Sequence, residues 1–85
     1  TYRNHLDDFI DRFKPFRRAL RKQNKKHLDS IWEKAHKHAS AASYMNPSRP
    51  GLPAIISVMI GLQKEMNQNR KKIEEIEEKL NEADI

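Results

Sequence analysis

Eighty-five residues without a cysteine exclude a disulfide framework and any cysteine-ligated zinc or iron–sulfur centre. The net charge is +5, and the charged fraction, 34%, nearly equals the hydrophobic fraction, 36%, a balance that suits long, thin helices better than a thick globule. A chain this short is expected to form one domain, 1–85, near the size at which one core stabilises only marginally and oligomerisation helps.

The charge is also segregated. Residues 1–50 hold twelve Lys/Arg against five Asp/Glu, with all four histidines, whereas residues 51–85 hold five against seven. A basic half joined to an acidic tail implies an anionic partner for the first half, or a tail of one copy that screens the head of another.

In chain order, Tyr2, Leu6, Phe9, Ile10 and Phe13 recur at helical spacing, with Asp7, Asp8, Asp11 and Arg12 opposite, which predicts a short amphipathic helix over 3–14. Pro15 lacks an N–H and conflicts with the preceding turn, so it ends that helix and suits the first turn of the next. The second helix is predicted over 15–44. Phe16, Leu20, Leu28, Ile31, Ala35, Ala39 and Ala42 share one broad face there, with His27 and His38 in the same stripe and Trp32 at its border. The stretch from Ala35 to Ser43 is mostly Ala and Ser, which lets a neighbouring helix approach closely.

Residues 46–53 contain Pro47, Pro50, Pro53 and Gly51, and predict a rigid loop. A third helix follows over 53–83. Its root, Ala54 to Leu62, is apolar on nearly all sides, which predicts burial by more than one neighbour. The run Leu52–Leu62 is too short for the ~20 residues of a membrane span, and no signal-peptide pattern precedes it, so a cytoplasmic protein is expected.

Within this helix Ile55, Met59, Leu62, Met66, Asn69, Ile73, Ile76, Leu80 and Ala83 are spaced alternately four and three apart. This is a coiled-coil seam, with Met59, Met66, Ile73 and Leu80 at a and Leu62, Asn69, Ile76 and Ala83 at d. Asn69 can fix register at a cost in stability. In a parallel pair the facing g and e residues are Glu65 with Arg70, Lys72 with Glu77, and Lys79 with Asp84, all of opposite charge. These pairings favour a parallel homodimer. The same charges also serve as a solvated face, and a hairpin between the second and third helices competes for the seam.

The residues with candidate chemistry lie before the loop. Arg17, Arg18, Arg21, Lys22, Lys25 and Lys26 form a continuous basic band on a helix, suited to tracking phosphates, with Gln23 and Asn24 placed to read a base edge. The competing reading is a solvated cationic face, or one paired with the acidic face of the third helix. Glu33-x-x-His36, with Asp29 one turn earlier, resembles half of a carboxylate-bridged di-metal site. No second Glu-x-x-His exists and His36 points away from the apolar stripe, so no metal and no cofactor is expected. His27 and His38 read as packed histidines, or as a pH-sensitive contact. Trp32 and Tyr44 read as core edges or partner anchors. There is neither a Gly-rich phosphate loop nor a grouping of Ser, His and Asp beyond chance, so no enzyme activity is expected.

The segments Phe16-Arg17-Arg18-Ala19-Leu20-Arg21, His27-Leu28-Asp29 and His36-Lys37-His38-Ala39-Ser40-Ala41-Ala42-Ser43-Tyr44-Met45-Asn46 resemble a family of short all-helical archaeal proteins over residues 2–62. That resemblance implies an archaeal intracellular source and carries no assigned activity and no catalytic residues.

The expected architecture is all-α: a short N-terminal helix, then a long antiparallel helical hairpin with a C-terminal coiled-coil tip, assembled as a dimeric bundle. The expected function is non-enzymatic binding of DNA or RNA backbone by that dimer; the alternative is a protein–protein adaptor docking a larger partner. No membrane partner is expected.

Overall fold

A computed structural model describes residues 1–45 and 48–84. Its helices are α1 (Tyr2–Asp11), α2 (Lys14–Ala19), α3 (Lys22–Lys37), α4 (Ala39–Ala42) and α5 (Gly51–Ala83), with no strand among the described residues. The fold is all-α.

α1 starts where Thr1 accepts a hydrogen bond from the Asn4 N–H at 3.4 Å. Its inner face carries Tyr2 and Leu6, both buried, then Ile10, partly buried against the same cluster. The rest of that cluster is Ala35, Ala39, Ala42, Ala54 and Val58. Alanines on α3, α4 and α5 bring the backbones close, so one large aliphatic side chain, Leu6, fills the centre at 0% exposure. Tyr2 Oη is buried without a hydrogen-bond partner among the described residues, a desolvation cost that its apolar contacts must offset. Beside the core, Phe9, Phe13 and Trp32 meet with ring centroids 5.2–6.4 Å apart, in edge-on or tilted geometry.

The second helix does not run unbroken from 15 to 44. Leu20 and Arg21 are extended, with ψ of 151° and 147°, and His38 leaves helical geometry at φ −109°, ψ 25°. No proline or glycine marks the first break. A straight helix would stack Arg17 on Arg21, Arg18 on Lys22, Arg21 on Lys25 and Lys22 on Lys26, and each like-charge pair costs a few tenths of a kcal/mol. The turn relieves two of these stacks. It also folds Arg17 onto Asp29, twelve residues on, which a straight helix would hold roughly 18 Å away. Phe16 and Leu20 therefore leave the face they were expected to share with Leu28 and Ala35: Phe16 is 52% exposed and leans on Phe13. The second break lets the short α4 bury Ala39 and Ala42.

α5 begins at Gly51, two residues before the expected start, because Pro53 sits in the first turn, where its missing N–H costs nothing. The loop expected over 46–53 is shorter accordingly; its Asn46 and Pro47 lie outside the described residues. α3 lies against the first half of α5. There the Lys34 stem crosses Gly61 so closely that a Cβ at Gly61 would stand 3.0 Å from two of its carbons. The Lys34 ammonium emerges to meet Glu65 at 3.1 Å and the Ser30 hydroxyl at 3.1 Å.

The root of α5 is not buried all round. Pro53, Ala54, Ser57 and Val58 are buried, while Leu52, Ile55, Ile56, Met59 and Ile60 are 47–64% exposed. From Leu62 to Asp84 every residue is exposed. α5 is about 50 Å long at 1.5 Å per residue and dominates the longest dimension of the molecule, 59 Å.

Candidate nucleic-acid interface and helix seam

The basic residues expected to form one continuous band are divided by the α2–α3 bend. On α2, Arg17 is committed. Its Nε donates to Asp29 Oδ1 and its Nη2 to Asp29 Oδ2, each at 2.9 Å, a bidentate fork. That hydrogen bonding holds the Asp29 carboxyl below its ordinary range and the guanidinium above its own. Arg17 thus ties α2 to α3 and is a poor phosphate ligand. Arg18, Arg21, Lys22 and Lys26 are exposed and Lys25 is half-buried, and none of the five makes an ion pair among the described residues. The acidic face of α5 does not neutralise them. Gln23 and Asn24 are exposed on the first turn of α3, beside these cations.

Of the histidines, His27 is exposed, not within a buried stripe, because the buried face of α3 runs through Leu28 and Ala35. His38 is half-buried at the α3–α4 break. His36 has the specific environment. Its Nδ1 lies 2.9 Å from the Trp32 carbonyl and its Nε2 lies 2.9 Å from Asp7 Oδ1 on α1. Both neighbours only accept, so both ring nitrogens must donate, and the imidazolium fits the site. Its pKa is accordingly raised above the ordinary 6.5, first by the Asp7 bond, then by the carbonyl, with burial and Arg3 opposing. Glu33 is exposed and Asp29 holds Arg17. No group of metal-ligating side chains stands together among the described residues.

The His36–Asp7 pair predicts a pH dependence. A raised folded-state pKa stabilises the fold fully below the unfolded-state value, and the contribution fades as pH rises through the folded-state value. A partly exposed pair of this kind contributes about 0.2–1 kcal/mol. The melting temperature is expected to fall between about pH 6 and about pH 8 by more in the wild type than in Asp7→Asn. Parallel pH–melting curves for the two proteins would refute the role of the pair.

The seam on α5 is open. Ile55, Met59, Leu62, Met66, Ile73, Ile76 and Leu80 are 43–61% exposed, and Asn69 and Ala83 are exposed among them. At 100° per residue the buried Ala54, Ser57, Val58 side of the root is centred roughly 110° round the helix from the Ile55, Met59, Leu62 side, so the body covers one flank of α5 and leaves the seam exposed. Two grooves flank the root. One, enclosing about 260 Å³, lies against α4 and is lined by Ala41, Ala42, Met45, Leu52, Ile56 and Ile60. The other, about 270 Å³, lies against the aromatic wall of Phe9, Phe13 and Trp32, with Ile55 and Met59 on α5. No helix is long and apolar enough to cross a membrane among the described residues.

Sequence reasoning missed Asp29 and Asp7 as partners of Arg17 and His36. The separations, twelve and twenty-nine residues, carry no periodic signal.

These features define an all-α protein with an exposed helical seam and a cationic bend. The chain belongs to the family described as a domain of unknown function (DUF8156), whose profile matches residues 1–85. No curated protein and no solved structure matches the chain.

Proposed function

We propose that this protein is a non-enzymatic helical dimer that binds nucleic-acid backbone through the cationic bend. In this reading α3 and the root of α5 make the antiparallel hairpin, and α5 pairs in parallel with its copy as a coiled coil. The pairing buries the Met59 to Leu80 seam and brings two bodies to one end. The archaeal, intracellular setting implied by the sequence resemblance belongs to the same reading. The observation that carries it is the set of cations Arg18, Arg21, Lys22, Lys25 and Lys26, which lack acidic partners among the described residues. Such a surface attracts polyanions by counterion release, and Gln23 and Asn24 stand among its donors.

Replacing Arg18, Arg21 and Lys22 together by Ser is expected to weaken binding to duplex DNA or RNA at least tenfold. It should also flatten the plot of log K against log salt by about one unit for each phosphate that is no longer neutralised. Arg17→Ser is expected to act on the α2–α3 junction and leave the salt slope alone. Unchanged affinity in the triple variant would end the nucleic-acid reading.

The second reading, a protein–protein adaptor, is favoured by the exposed Leu52, Ile56 and Ile60 beside α4. It predicts salt-tolerant binding to a protein and no retardation of nucleic acid.

A further inference from the structure

We infer that the interface between two copies extends beyond the coiled-coil seam. Each α4–α5 groove of one copy receives the Phe13–Trp32 wall of the other. This rests on the dimer of the preceding section and deepens it.

The first argument is angular. In the heptad that places Met59 at a, Leu52 is also a, Ile55 is d, Ile56 is e, Val58 is g and Ile60 is b. The α4 groove therefore lies on the e side of α5, and the aromatic wall lies on the g side. In a parallel pair the e side of one helix faces the g side of its partner. The groove of each copy then stands across from the aromatic wall of the other, twice by symmetry.

The second argument is charge, which selects the parallel orientation. Lys72 meets Glu77 and Lys79 meets Asp84 across the pair, and none of these four has another ion-pair partner among the described residues. The third such pairing, Glu65 with Arg70, competes with Lys34, which already holds Glu65 at 3.1 Å.

The third argument is the size of the apolar surface. Beyond Leu62 the seam offers Met66, Ile73, Ile76 and Leu80 with Asn69 and Ala83 between them, a narrow stripe weakened twice. Leu52, Ile55, Ile56, Met59 and Ile60 add a second exposed apolar patch contiguous with it, where the body leaves α5 uncovered. A dimer burying only the tip would leave that patch in water, against the usual limit on exposed apolar area. A second copy covers both patches at once.

Trp32 is the only tryptophan, so its emission reports on this contact. Sedimentation and Trp fluorescence of the full chain would be followed together across a dilution series, for wild type and for Ile56→Glu and Ile60→Glu. Both substitutions fall on exposed positions of α5, so circular dichroism should show the wild-type helix content. The expected result is a dimer whose Trp32 emission shifts to the blue on association, with Ile56→Glu weakening association at least tenfold and abolishing the shift. A wild-type dimer whose Trp32 emission ignores concentration, and whose affinity changes less than twofold in both variants, overturns the groove contact and leaves the coiled-coil dimer standing. A wild-type monomer at micromolar concentration overturns both. A salt-tolerant complex with a different protein that Ile56→Glu abolishes, while wild-type self-association is insensitive to that change, also overturns the inference and favours the adaptor.

Discussion

Leu6→Ala is expected to lower the stability of the fold by about 2–5 kcal/mol, the range for deleting a buried leucine side chain. The upper part of that range is the sensible expectation here. Leu6 is wholly buried, and its neighbours Ala35, Ala39, Ala42 and Ala54 are too small to move into the space it leaves. The loss is large against the roughly 5–15 kcal/mol that holds a typical domain together. Denaturant titration would show it as a lower midpoint at unchanged slope. A loss below about 1 kcal/mol would mean that α1 is not the lid of this core and that the alanines close on themselves.

Ile73→Glu combined with Ile76→Glu is expected to abolish self-association and to melt much of the second half of α5. Among the described residues no hydrogen bond or ion pair joins that half to another helix, and every residue from Leu62 to Asp84 is exposed. Isolated helical segments are marginal in water, and most helical stability comes from packing an apolar face. The local charges give mixed help. Glu75 supports Lys79 one turn on, whereas Glu74–Glu78 and Glu78–Glu82 repel at the same spacing. Four glutamates facing one another across the proposed dimer would be added to that repulsion. The readouts are the sedimentation coefficient and the mean helicity by circular dichroism. Helicity equal to wild type in a monomeric variant would show that the tip is helical by itself and that the seam contributes nothing to its folding.

Several features of this molecule are legible in the residues alone because they are local. The spacing of Tyr2, Leu6 and Ile10 marks the inner face of α1, and Pro15 marks the first turn of α2. The 4-3 recurrence from Ile55 marks the length of α5, since periodicity survives any packing that keeps the helix, and Pro53 marks its start to within two residues. The small-residue run near Ala35 to Ala42 foretells the close approach that α3 and α4 make. The six basic residues are visible as a run, and five of them are exposed or half-exposed without an acidic partner among the described residues.

What could not be read depends on pairs distant in sequence. The break at Leu20–Arg21 has no proline or glycine to announce it. The break relieves two like-charge stacks along the basic face and brings Arg17 to Asp29, a contact that exists only after α2 has turned back. The same contact removes Arg17 from the cationic surface. The spacing places His36 away from the apolar stripe but does not show that Asp7 on another helix gives it a charged partner. The root of α5 shows the limit most clearly. Its sequence is apolar on nearly every side, which suggests burial on every side, yet a body this thin has only enough helix to cover one face. The sequence by itself determined the apolar 4-3 stripe along α5, because that spacing returns each residue to one face of any helix the segment forms. Only the tertiary structure decided which flank of α5 the body covers, because the alanine face of α3 and α4 fits closely against Ala54 and Ser57 and leaves Met59 and Leu62 exposed.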